Sequence, residues 1–473
     1  MINKEIFKSY DIRGIYPDDL NEQAAFAIGK AFAKLISANP SISLRAPNVV
    51  VGYDARLSSP ALFNALTRGL YAGGLEIASI GQTPTEGLYF AAGSYDFDAA
   101  IMITASHNPK EYNGFKMLAR RLVHRSFSDG GSFSEGGITR QGKDLTIIRG
   151  KDLLLSVQEE NFNQDSNVKF EQKDIWNDYL DLVLSFFSGM GNKKIFKIVV
   201  DASNGVIGNV IEMLKEKLPC KIIPLNFEPD GNFPNHSPNP LDAGASDQIA
   251  KKIKAEKADF GFMFDGDADR IFLVDEKGQL VSADITLLLL AKHFLQKNPG
   301  MGIAYNLICS RVVPELVKKW GGVPIRTQVG VVNVRQGLLD HNGIMGGELS
   351  AHYCFADYFY MDSGVIAFLT LLQIIAKEDK PVSEIVKELS IYAPPFQQNF
   401  KIKNIPAVLE KVKEKYSDAK QDFLDGITVE YEHWWFNLRP SNTEPLLKLT
   451  IEADTQELLE EKKGELSESI KTQ

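Results

Sequence analysis

The sequence is poor in cysteine and contains no long apolar run. Three of its 473 residues are cysteine, namely Cys220, Cys309 and Cys354, and their spacing matches no zinc site. This scarcity excludes a disulfide-rich secreted scaffold and favours a reducing compartment. The most apolar stretch, Val365 to Ala376, is 12 residues long. It is too short to span a bilayer and predicts a buried helix.

Positive charge is also in deficit. The chain has 52 Lys and Arg against 61 Asp and Glu, a formal net charge of −9. Such a balance argues against a nucleic-acid or acidic-membrane partner, although a local basic cluster could still bind a small anion. The N-terminal residues lack the apolar core of a secretory signal. We therefore expect a cytoplasmic protein, either a monomer or a weak homodimer.

The length predicts several domains, because a chain of 473 residues is too long for one hydrophobic core. Alternating strand and helix patterns recur three times and change after Pro394 to strands mixed with charged helices. This order predicts an α/β fold: three similar mixed α/β domains with helix-covered sheets, and a smaller C-terminal α+β domain. The predicted domains are 1–155, 156–279, 280–388 and 389–473.

Three local expectations accompany this division. The first domain should contain a mostly parallel sheet. In the second domain, Ile271–Asp275 and Gln279–Val281 are predicted to form a hairpin around Glu276-Lys277-Gly278. The segment from Arg120 to Arg149 is rich in arginine, serine and glycine, which is more typical of a solvated insertion than of a nucleic-acid site.

A serine follows a predicted buried strand over residues 99–103. Asn108 before Pro109 disfavours helix, so Ser106 is predicted on a loop at the end of that strand. Such loops commonly carry chemistry. Taken alone, however, a serine in this position is more often only a helix cap.

Three alternating aspartates, Asp265, Asp267 and Asp269, could converge on one centre if their loop curves. Mg²⁺ prefers oxygen ligands and an incomplete protein shell that phosphate oxygens complete. The alternatives are a solvated acidic turn and a calcium loop, for which Glu276 would be the twelfth residue. That loop needs glycine at its sixth position, where Arg270 stands. We therefore predict a magnesium site.

Two further stretches are rich in hydrogen-bonding groups. Glu348 and Ser350 would point one way from an extended segment and could hold adjacent sugar hydroxyls; His352 is a plausible further contact, although a lone histidine is more often structural. Near the C-terminus, a guanidinium, two hydroxyls and an amide lie close together, which is chemistry suited to phosphate. These four residues are Arg439, Ser441, Asn442 and Thr443.

Taken in order along the chain, the stretches 104–109, 265–270, 347–352 and 439–445 resemble the four active-site loops of the α-D-phosphohexomutases. Within that family they are most similar to the phosphomannomutase/phosphoglucomutase group. The resemblance extends from Tyr10-Asp-Ile-Arg-Gly14 to Arg439. It implies that the four domains surround a central cleft.

The resemblance also implies roles at the reacting end. Ser106 would carry a transferable phosphoryl group, and phosphoserine would join the three aspartates as a ligand of Mg²⁺. His107 follows it directly, and Lys116 and Arg13 would lie near the transferring phosphoryl group. Of these two, Lys116 is the better candidate for proton transfer, because a buried lysine shifts its pKa readily. Tyr10 and Arg270 would lie on the substrate side.

At the other end, the resemblance assigns Glu348 and Ser350 to sugar O3 and O4, and the Arg439 stretch to the phosphate that is not transferred. Dual-specificity members typically have methionine where Leu349 stands, which favours glucose and mannose over aminosugar phosphates. Members often have histidine at the position of Val331. Its absence removes one expected contact, which Arg326 or Arg335 could replace.

The predicted activity is interconversion of hexose 1-phosphate and hexose 6-phosphate, of mannose or glucose or both. It would pass through a phosphoserine enzyme and a hexose 1,6-bisphosphate, which would also act as activator. A phosphoglucosamine mutase is the alternative. A metal-dependent sugar phosphatase would not need separate sugar and phosphate loops. A non-catalytic sugar-phosphate binder would not need Ser106 and the three aspartates.

Overall fold

The computed structural model describes residues 2–39, 46–120, 144–158, 168–190, 195–378, 380–441 and 446–471. These residues fall into two compact units, the first formed by 1–280 and 355–377 and the second by 281–354 and 378–473. Within the described ranges, no helix has both the length and the apolar character that a membrane span requires. Asn442, Thr443 and most of the Arg120–Arg149 segment lie outside these ranges.

A mixed sheet forms the start of the first unit. Its described strands are β1 (Ile12–Ile15), β2 (Asn48–Tyr53), β3 (Glu76–Gln82), β4 (Ala99–Ile103), β5 (Tyr112–Arg120), β6 (Leu145–Ile148) and β7 (Glu171–Gln172). They lie in the order β1-β5-β4-β2-β3-β7, with β6 paired to β5. After a 3₁₀ turn at Lys4–Ile6, the helices are α1 (Glu22–Ser37), α2 (Ser59–Ala72), α3 (Thr85–Ser94), α4 (Gly150–Leu153) and α5 (Trp176–Ser185).

The expectation of a mostly parallel sheet is wrong for one side of this sheet. Strands β4, β2, β3 and β7 are parallel, but β5 runs antiparallel to β1, β4 and β6. The cause is the short connection over residues 104–111, which leads from β4 straight into β5. A turn of this length can join only antiparallel strands, because parallel neighbours need a longer crossover.

The second sheet of this unit has the order β11-β10-β8-β9. Its strands are β8 (Phe196–Asp201), β9 (Cys220–Leu225), β10 (Phe260–Phe264) and β11 (Ile271–Val274), with helices α6 (Ile207–Lys215) and α7 (Asp247–Glu256). Every residue of β10 is buried, as its apolar run predicts.

The predicted hairpin around residues 276–278 is present but short. An antiparallel bridge pairs Val274 with Leu280, and the Asp275 N–H donates to the Gln279 carbonyl at 2.9 Å, but residues 279–281 form no strand. The Asp275 carboxylate accepts hydrogen bonds from the backbone N–H groups of Lys277 and Gln279, at 3.0 and 2.7 Å. A side chain that takes up backbone donors in this way competes with a strand ladder.

The second unit contains two further sheets. One has the order β13-β12-β14-β15, and the other has the order β16-β20-β19-β18-β17 and is antiparallel throughout. This succession of sheets flanked by helices confirms the predicted α/β class with a different C-terminal domain. The elements are β12 (Gly302–Asn306), β13 (Val323–Thr327), β14 (Met345–Gly347), β15 (Tyr353–Phe355), β16 (Phe396–Phe400), β17 (Lys420–Asp422), β18 (Ile427–Glu430), β19 (Trp434–Pro440), β20 (Leu447–Ala453), α8 (Ala283–Lys297), α9 (Val312–Lys319), α10 (Val331–His341), α11 (Gly364–Glu378), α12 (Val382–Leu389), α13 (Ile405–Lys415) and α14 (Gln456–Lys471).

The buried-helix prediction for residues 365–376 is confirmed by α11, whose residues 364–376 are all buried. Its residues up to 377 belong to the first unit. The predicted domain boundaries remain a prediction; β7 continues the first sheet beyond residue 155, the predicted end of the first domain.

Candidate active site

Ser106 lies in the turn between β4 and β5, as the sequence predicts, but it is almost fully buried. Its exposed fraction is 2%, and its φ of 52° lies in the left-handed region. The Ser106 N–H donates to the Thr104 hydroxyl at 2.8 Å, and the Asn108 N–H donates to the Ala105 carbonyl at 3.0 Å. These bonds fix the backbone of the turn and therefore the direction of the Ser106 hydroxyl.

The loop after β10 brings the three aspartates together. Asp265, Asp267 and Asp269 are all buried, and each offers a carboxylate oxygen within 4.8 Å of the others. Ala268 has a φ of 63°, so the backbone curves between the second and third aspartate. The Ser106 hydroxyl donates to Asp265 Oδ2 at 3.2 Å. The serine loop and the aspartate loop therefore form one cluster within the first unit.

This cluster fits a hard divalent cation. Three buried carboxylates supply charged oxygen donors, which Mg²⁺ prefers, and leave room in its coordination shell for other oxygens. Asp267 Oδ1 is buried and accepts no hydrogen bond from any residue in the described ranges. A buried acceptor without a donor is costly unless a ligand satisfies it. Asp265, Asp267 and Asp269 are thus the residues that could hold the metal.

Lys116 on β5 lies against the aspartates. Its ammonium donates to Asp267 Oδ2 at 2.7 Å and also to Asp269 Oδ2. Burial by itself lowers the pKa of Lys116, but attraction by Asp267 and Asp269 outweighs it and raises the pKa well above its ordinary value. The assignment of Lys116 to proton transfer stays a prediction; these contacts favour its protonated form.

Arg13, on β1, donates from its guanidinium to Asn108 in the serine loop and to Asp11. His107 Nδ1 lies 3.2 Å from the Ser106 hydroxyl oxygen. Both residues therefore reach the serine loop, where the sequence places them. Tyr10 lies two residues before β1.

Arg270 closes the aspartate loop. Its backbone N–H donates to Asp265 Oδ1 at 3.2 Å, and its Nε lies 3.6 Å from Asp265 Oδ2. A cation is therefore fixed at the edge of the carboxylate cluster, which suits the predicted contact with an anionic substrate.

Two residues of the cluster were missed in the sequence. Thr85, the first residue of α3, donates its hydroxyl to Asp267 Oδ2 at 2.5 Å, and its N–H donates to the Asp267 carbonyl at 3.0 Å. Arg56 follows β2 and contacts the serine loop. Their positions in the sequence could have indicated this, because both residues follow strands that are parallel to β4. The carboxyl ends of parallel strands lie at one edge of a sheet.

In the second unit, Glu348, Ser350 and His352 meet as predicted, but not through an extended segment. The Ala351 N–H donates to the Glu348 carbonyl at 3.0 Å, and Ala351 has a φ of 69°, so the chain turns there. Glu348 Oε2 accepts from the Ser350 hydroxyl at 3.1 Å and lies 3.0 Å from His352 Nδ1. The turn gathers the three side chains more closely than a strand would.

The other oxygen of Glu348 is held by backbone and amide donors. Glu348 Oε1 accepts from the Gly330 N–H at 2.8 Å and from Asn306 Nδ2 at 3.2 Å. The loop that precedes α10 is thereby tied to the Glu348 cluster, and Val331 is the first residue of that helix. The position where a histidine was expected thus adjoins a residue that contacts Glu348.

Of the two arginines that could replace this histidine, Arg326 is engaged elsewhere. Its Nη1 lies 3.6 Å from Asp422 Oδ2 and 3.4 Å from Glu430 Oε1. Arg335 is buried within α10. Replacement by Arg326 is therefore not supported by the geometry.

Arg439 lies near the end of β19 with an exposed fraction of 7%. Ser441 follows this strand, and its N–H donates to the Leu446 carbonyl at 2.8 Å. The remaining two members of the predicted phosphate-binding stretch, Asn442 and Thr443, lie outside the described residues. The described part is a nearly buried guanidinium beside a turn.

Comparison with known families matches four consecutive family models to this chain. They describe phosphoglucomutase/phosphomannomutase α/β/α domain I at residues 4–123, domain II at 177–278, domain III at 282–392 and the C-terminal domain at 396–469. Each of the four stretches with the predicted chemistry has residues inside one of these matches.

Full-length relatives agree. The chain is 35% identical over 469 residues to a protein named "Phosphohexose mutases" from Xanthomonas campestris pv. campestris, covering 98% of this chain and 99% of that one. It is 35% identical over 478 residues to a phosphomannomutase of Vibrio cholerae, covering 98% of each. A crystal structure of a phosphoglucomutase/phosphomannomutase family protein from Burkholderia thailandensis superposes with a TM-score of 0.83 at 31% identity, covering 100% and 98% of the two chains. The chain therefore belongs to the phosphoglucomutase/phosphomannomutase family and is an isomerase of the hexose phosphate mutase class.

Proposed function

We propose that this enzyme interconverts the 1-phosphate and 6-phosphate of mannose, glucose or both, through phosphorylated Ser106 and a hexose 1,6-bisphosphate. The observation that carries the proposal is the contact of the Ser106 hydroxyl with Asp265, at 3.2 Å, inside a cluster of three buried carboxylates. A serine beside a divalent-cation site is suited to hold a phosphoryl group whose charge is partly neutralised there.

In the first half of the reaction, the bond between phosphorus and the Ser106 oxygen breaks, and a bond to the free sugar hydroxyl forms. The sugar hydroxyl loses a proton, and the serine oxygen gains one. His107 Nδ1, at 3.2 Å from that oxygen, is placed to exchange this proton. In the second half, the bisphosphate returns its other phosphoryl group to Ser106. The product is the isomeric monophosphate.

Charge on the transferring phosphoryl group is opposed by fixed cations. Lys116 is held protonated by Asp267 and Asp269, so we assign it to charge stabilisation rather than to proton removal. Arg13 reaches the serine loop through Asn108 and is assigned the same role. Mg²⁺, when bound by the three aspartates, would neutralise developing negative charge at the same centre.

Recognition is assigned to residues of the second unit. Glu348, Ser350 and His352 would contact sugar hydroxyls, and Arg439 with Ser441 would bind the phosphate that is not transferred. A sugar site that contacts O3 and O4 accepts both glucose and mannose, because these sugars differ at O2. The Vibrio cholerae relative, 35% identical to this chain, is named phosphomannomutase.

The test is a coupled assay with mannose 1-phosphate, glucose 1-phosphate and glucosamine 1-phosphate, each with Mg²⁺ and a trace of hexose 1,6-bisphosphate. We expect turnover of mannose or glucose 1-phosphate, and one added phosphate at Ser106 by peptide mass. Faster turnover of glucosamine 1-phosphate would show that the enzyme is a phosphoglucosamine mutase and not a mutase of mannose or glucose phosphates. Release of inorganic phosphate without isomer would indicate a phosphatase, and binding without any product would indicate a sugar-phosphate binder.

A further inference from the structure

We propose that Arg56 is a positioning residue that holds Ser106 in the conformation needed for phosphoryl transfer. The inference rests on the proposed function and deepens it. The Arg56 guanidinium donates to backbone carbonyls of residues 106–112, and it acts through the backbone of the serine loop.

Arg56 lies where the sheet topology brings it to Ser106. It follows β2 by three residues, and β2 is parallel to β4, whose carboxyl end leads into the serine loop. The side chain is buried, with an exposed fraction of 1%. A buried arginine is rare unless its charge and its donors are satisfied.

The guanidinium is satisfied mainly by the serine loop. Its Nη2 donates to the carbonyls of Ser106 at 2.7 Å and Asn108 at 2.6 Å, and its Nη1 donates to those of Pro109 at 2.7 Å and Tyr112 at 2.9 Å. Its Nε donates to Asp54 Oδ2 at 3.1 Å. Because a guanidinium has five N–H donors, every donor is used, and four bind one turn of the chain.

One of these hydrogen bonds is to the carbonyl of Ser106, whose backbone conformation is unfavourable. Ser106 has a φ of 52°, a conformation that residues with a side chain disfavour and that persists only when neighbouring contacts enforce it. The bond to the Ser106 carbonyl, together with three bonds further along the turn, supplies such contacts. The guanidinium thus fixes the conformation that directs the hydroxyl towards Asp265.

A second loop of the same unit closes over Arg56. The Phe233 ring lies 5.3 Å from the guanidinium carbon, and a side chain at Gly231 would come within 2.5 Å of the Ala55 carbonyl. A side chain at Gly266, between the first two aspartates, would come within 2.8 Å of the Ser106 carbonyl. The backbone of the serine loop therefore packs closely against the aspartate loop on one side and is bonded to Arg56 on the other.

Lysine variants at two different arginines separate positioning of the serine loop from a general contribution to the stability of the fold. Arg56→Lys keeps the charge but cannot make four carbonyl bonds, because an ammonium has three donors and no planar fork. Arg120 is the matched control, since its guanidinium also donates to backbone carbonyls, those of Ala92 at 2.6 Å and Tyr95 at 3.0 Å. It lies at the end of β5 that is remote from the serine loop.

The experiment measures kcat and KM, the unfolding midpoint, and deuterium uptake in peptides that cover residues 104–115. For Arg56→Lys we expect kcat to fall about 10²-fold with KM within about threefold, because a misplaced reacting group costs rate rather than binding. Uptake in these peptides should rise. Arg120→Lys should lower the midpoint but leave kcat within about twofold and uptake over 104–115 unchanged.

The inference is overturned if the two variants lose kcat equally, or if uptake over 104–115 is unchanged in Arg56→Lys. If Arg56→Lys fails to fold, Asp54→Asn can be used instead, because it weakens the contact of Arg56 Nε. It should give the same changes in kcat and uptake to a smaller degree. Unchanged kcat and uptake would then count against the inference. Absence of mutase turnover in the wild type would instead refute the proposed function. The uptake comparison would still decide whether Arg56 holds the loop.

Discussion

The two polar clusters of this protein differ in how their charges are balanced. In the first unit, three buried carboxylates share one centre with a serine hydroxyl and a lysine. In the second unit, one carboxylate, that of Glu348, is shared among Gly330, Asn306, Ser350 and His352, so that each of its oxygens has two partners.

In the first cluster, the buried carboxylates therefore outnumber the cations. In the second cluster, the single carboxylate has hydrogen-bond partners for both of its oxygens. Excess charge in a buried place is stabilised by a cation or by groups that react there. A carboxylate whose partners already hold it in one orientation is pre-organised for a neutral, hydroxyl-rich ligand, which would exchange with one of those partners. We expect substitutions in the first cluster to reduce kcat and substitutions in the second unit to raise KM.

The largest effect is expected for Ser106→Ala. Removing the proposed phosphoryl carrier should reduce kcat by roughly 10⁴-fold or more, even with bisphosphate supplied. The coupled assay measures this loss, and Ser79→Ala, which removes another buried hydroxyl of the same unit, is the control that should stay active. Retention of several per cent of wild-type kcat would contradict the assignment of Ser106.

Asp267→Asn should be next. An amide offers a neutral oxygen in place of a charged one, so both Mg²⁺ affinity and kcat should fall, the latter about 10³-fold, or roughly 4 kcal/mol. Titration calorimetry with Mg²⁺ alone measures the affinity independently of turnover. Asp201→Asn, which removes a buried carboxylate that pairs with His236, should leave Mg²⁺ affinity unchanged. Equal affinities in all three proteins would mean that the aspartates are structural.

Buried charge in the first unit should also make stability depend on pH. Burial raises the pKa of Glu86 from 4.5 to about 8, although the Ser363 hydroxyl and the Val365 N–H donate to it. Because the folded chain binds this proton more tightly than the unfolded chain, the stabilisation is complete below pH 4.5 and is lost as pH rises through 8.

The free energy of unfolding should therefore fall by about 3 kcal/mol more in the wild type than in Glu86→Gln between roughly pH 6 and pH 9. Urea unfolding at each pH measures this difference. Glu171→Gln, at an exposed position of β7, should follow the wild-type curve. Parallel curves for wild type and Glu86→Gln would show that Glu86 is already ionised.

Arg439→Ala tests the second side of the comparison. Removing the guanidinium that we propose binds the non-reacting phosphate should cost ~1.5–3 kcal/mol in kcat/KM, mainly through KM. Some loss of kcat is expected as well, because remote binding also orients the reacting end. Lys448→Ala, which removes the cation directly opposite on β20, is the control for a general loss of positive charge. Steady-state kinetics that leave KM and kcat unchanged would remove the phosphate assignment.

Val331→His should have the smallest effect. One added hydrogen bond to the sugar would lower KM by about threefold to twelvefold, or ~0.5–1.5 kcal/mol, with kcat almost unchanged. Val332→His places the same group on the next position of α10 and should not lower KM. If Val331→His has no effect and Arg335→Ala raises KM, then Arg335 makes this contact; if neither matters, the loop does not reach the substrate.

Continuous apolar runs made much of the fold predictable. The buried strand predicted over residues 99–103 is β4, the helix predicted over residues 365–376 lies within α11, and the alternating aspartates converge as proposed. The shortness of the hairpin at residues 271–281 was not predictable, because it depends on the Asp275 carboxylate, which accepts from the backbone N–H groups of Lys277 and Gln279. The direction of the strand after the serine loop depended on the length of a turn, which the residue pattern does not reveal.

Long-range pairing explains what was missed in the site. Thr85 and Arg56 act on partners far along the chain, so no local pattern marks them. The pKa of Lys116 was expected to shift on burial, and it rises because Asp267 and Asp269, 151 and 153 positions away, face it. Sequence patterns identified which residues carry charge; the direction of a pKa shift required knowing their neighbours.

The reversal of the chain from β4 into β5 has a consequence for register. Lys116 lies opposite Met102, so the returning strand brings the ammonium back beside the end of the strand that leads to Ser106. Side chains alternate between the faces of a strand, and a shift of one position would turn Lys116 to the opposite face of the sheet. The length of the turn at 104–111 thus sets both the place of Ser106 and the side of the sheet on which the Lys116 ammonium lies. Single-residue insertions should be tolerated far less in this turn than in surface loops elsewhere.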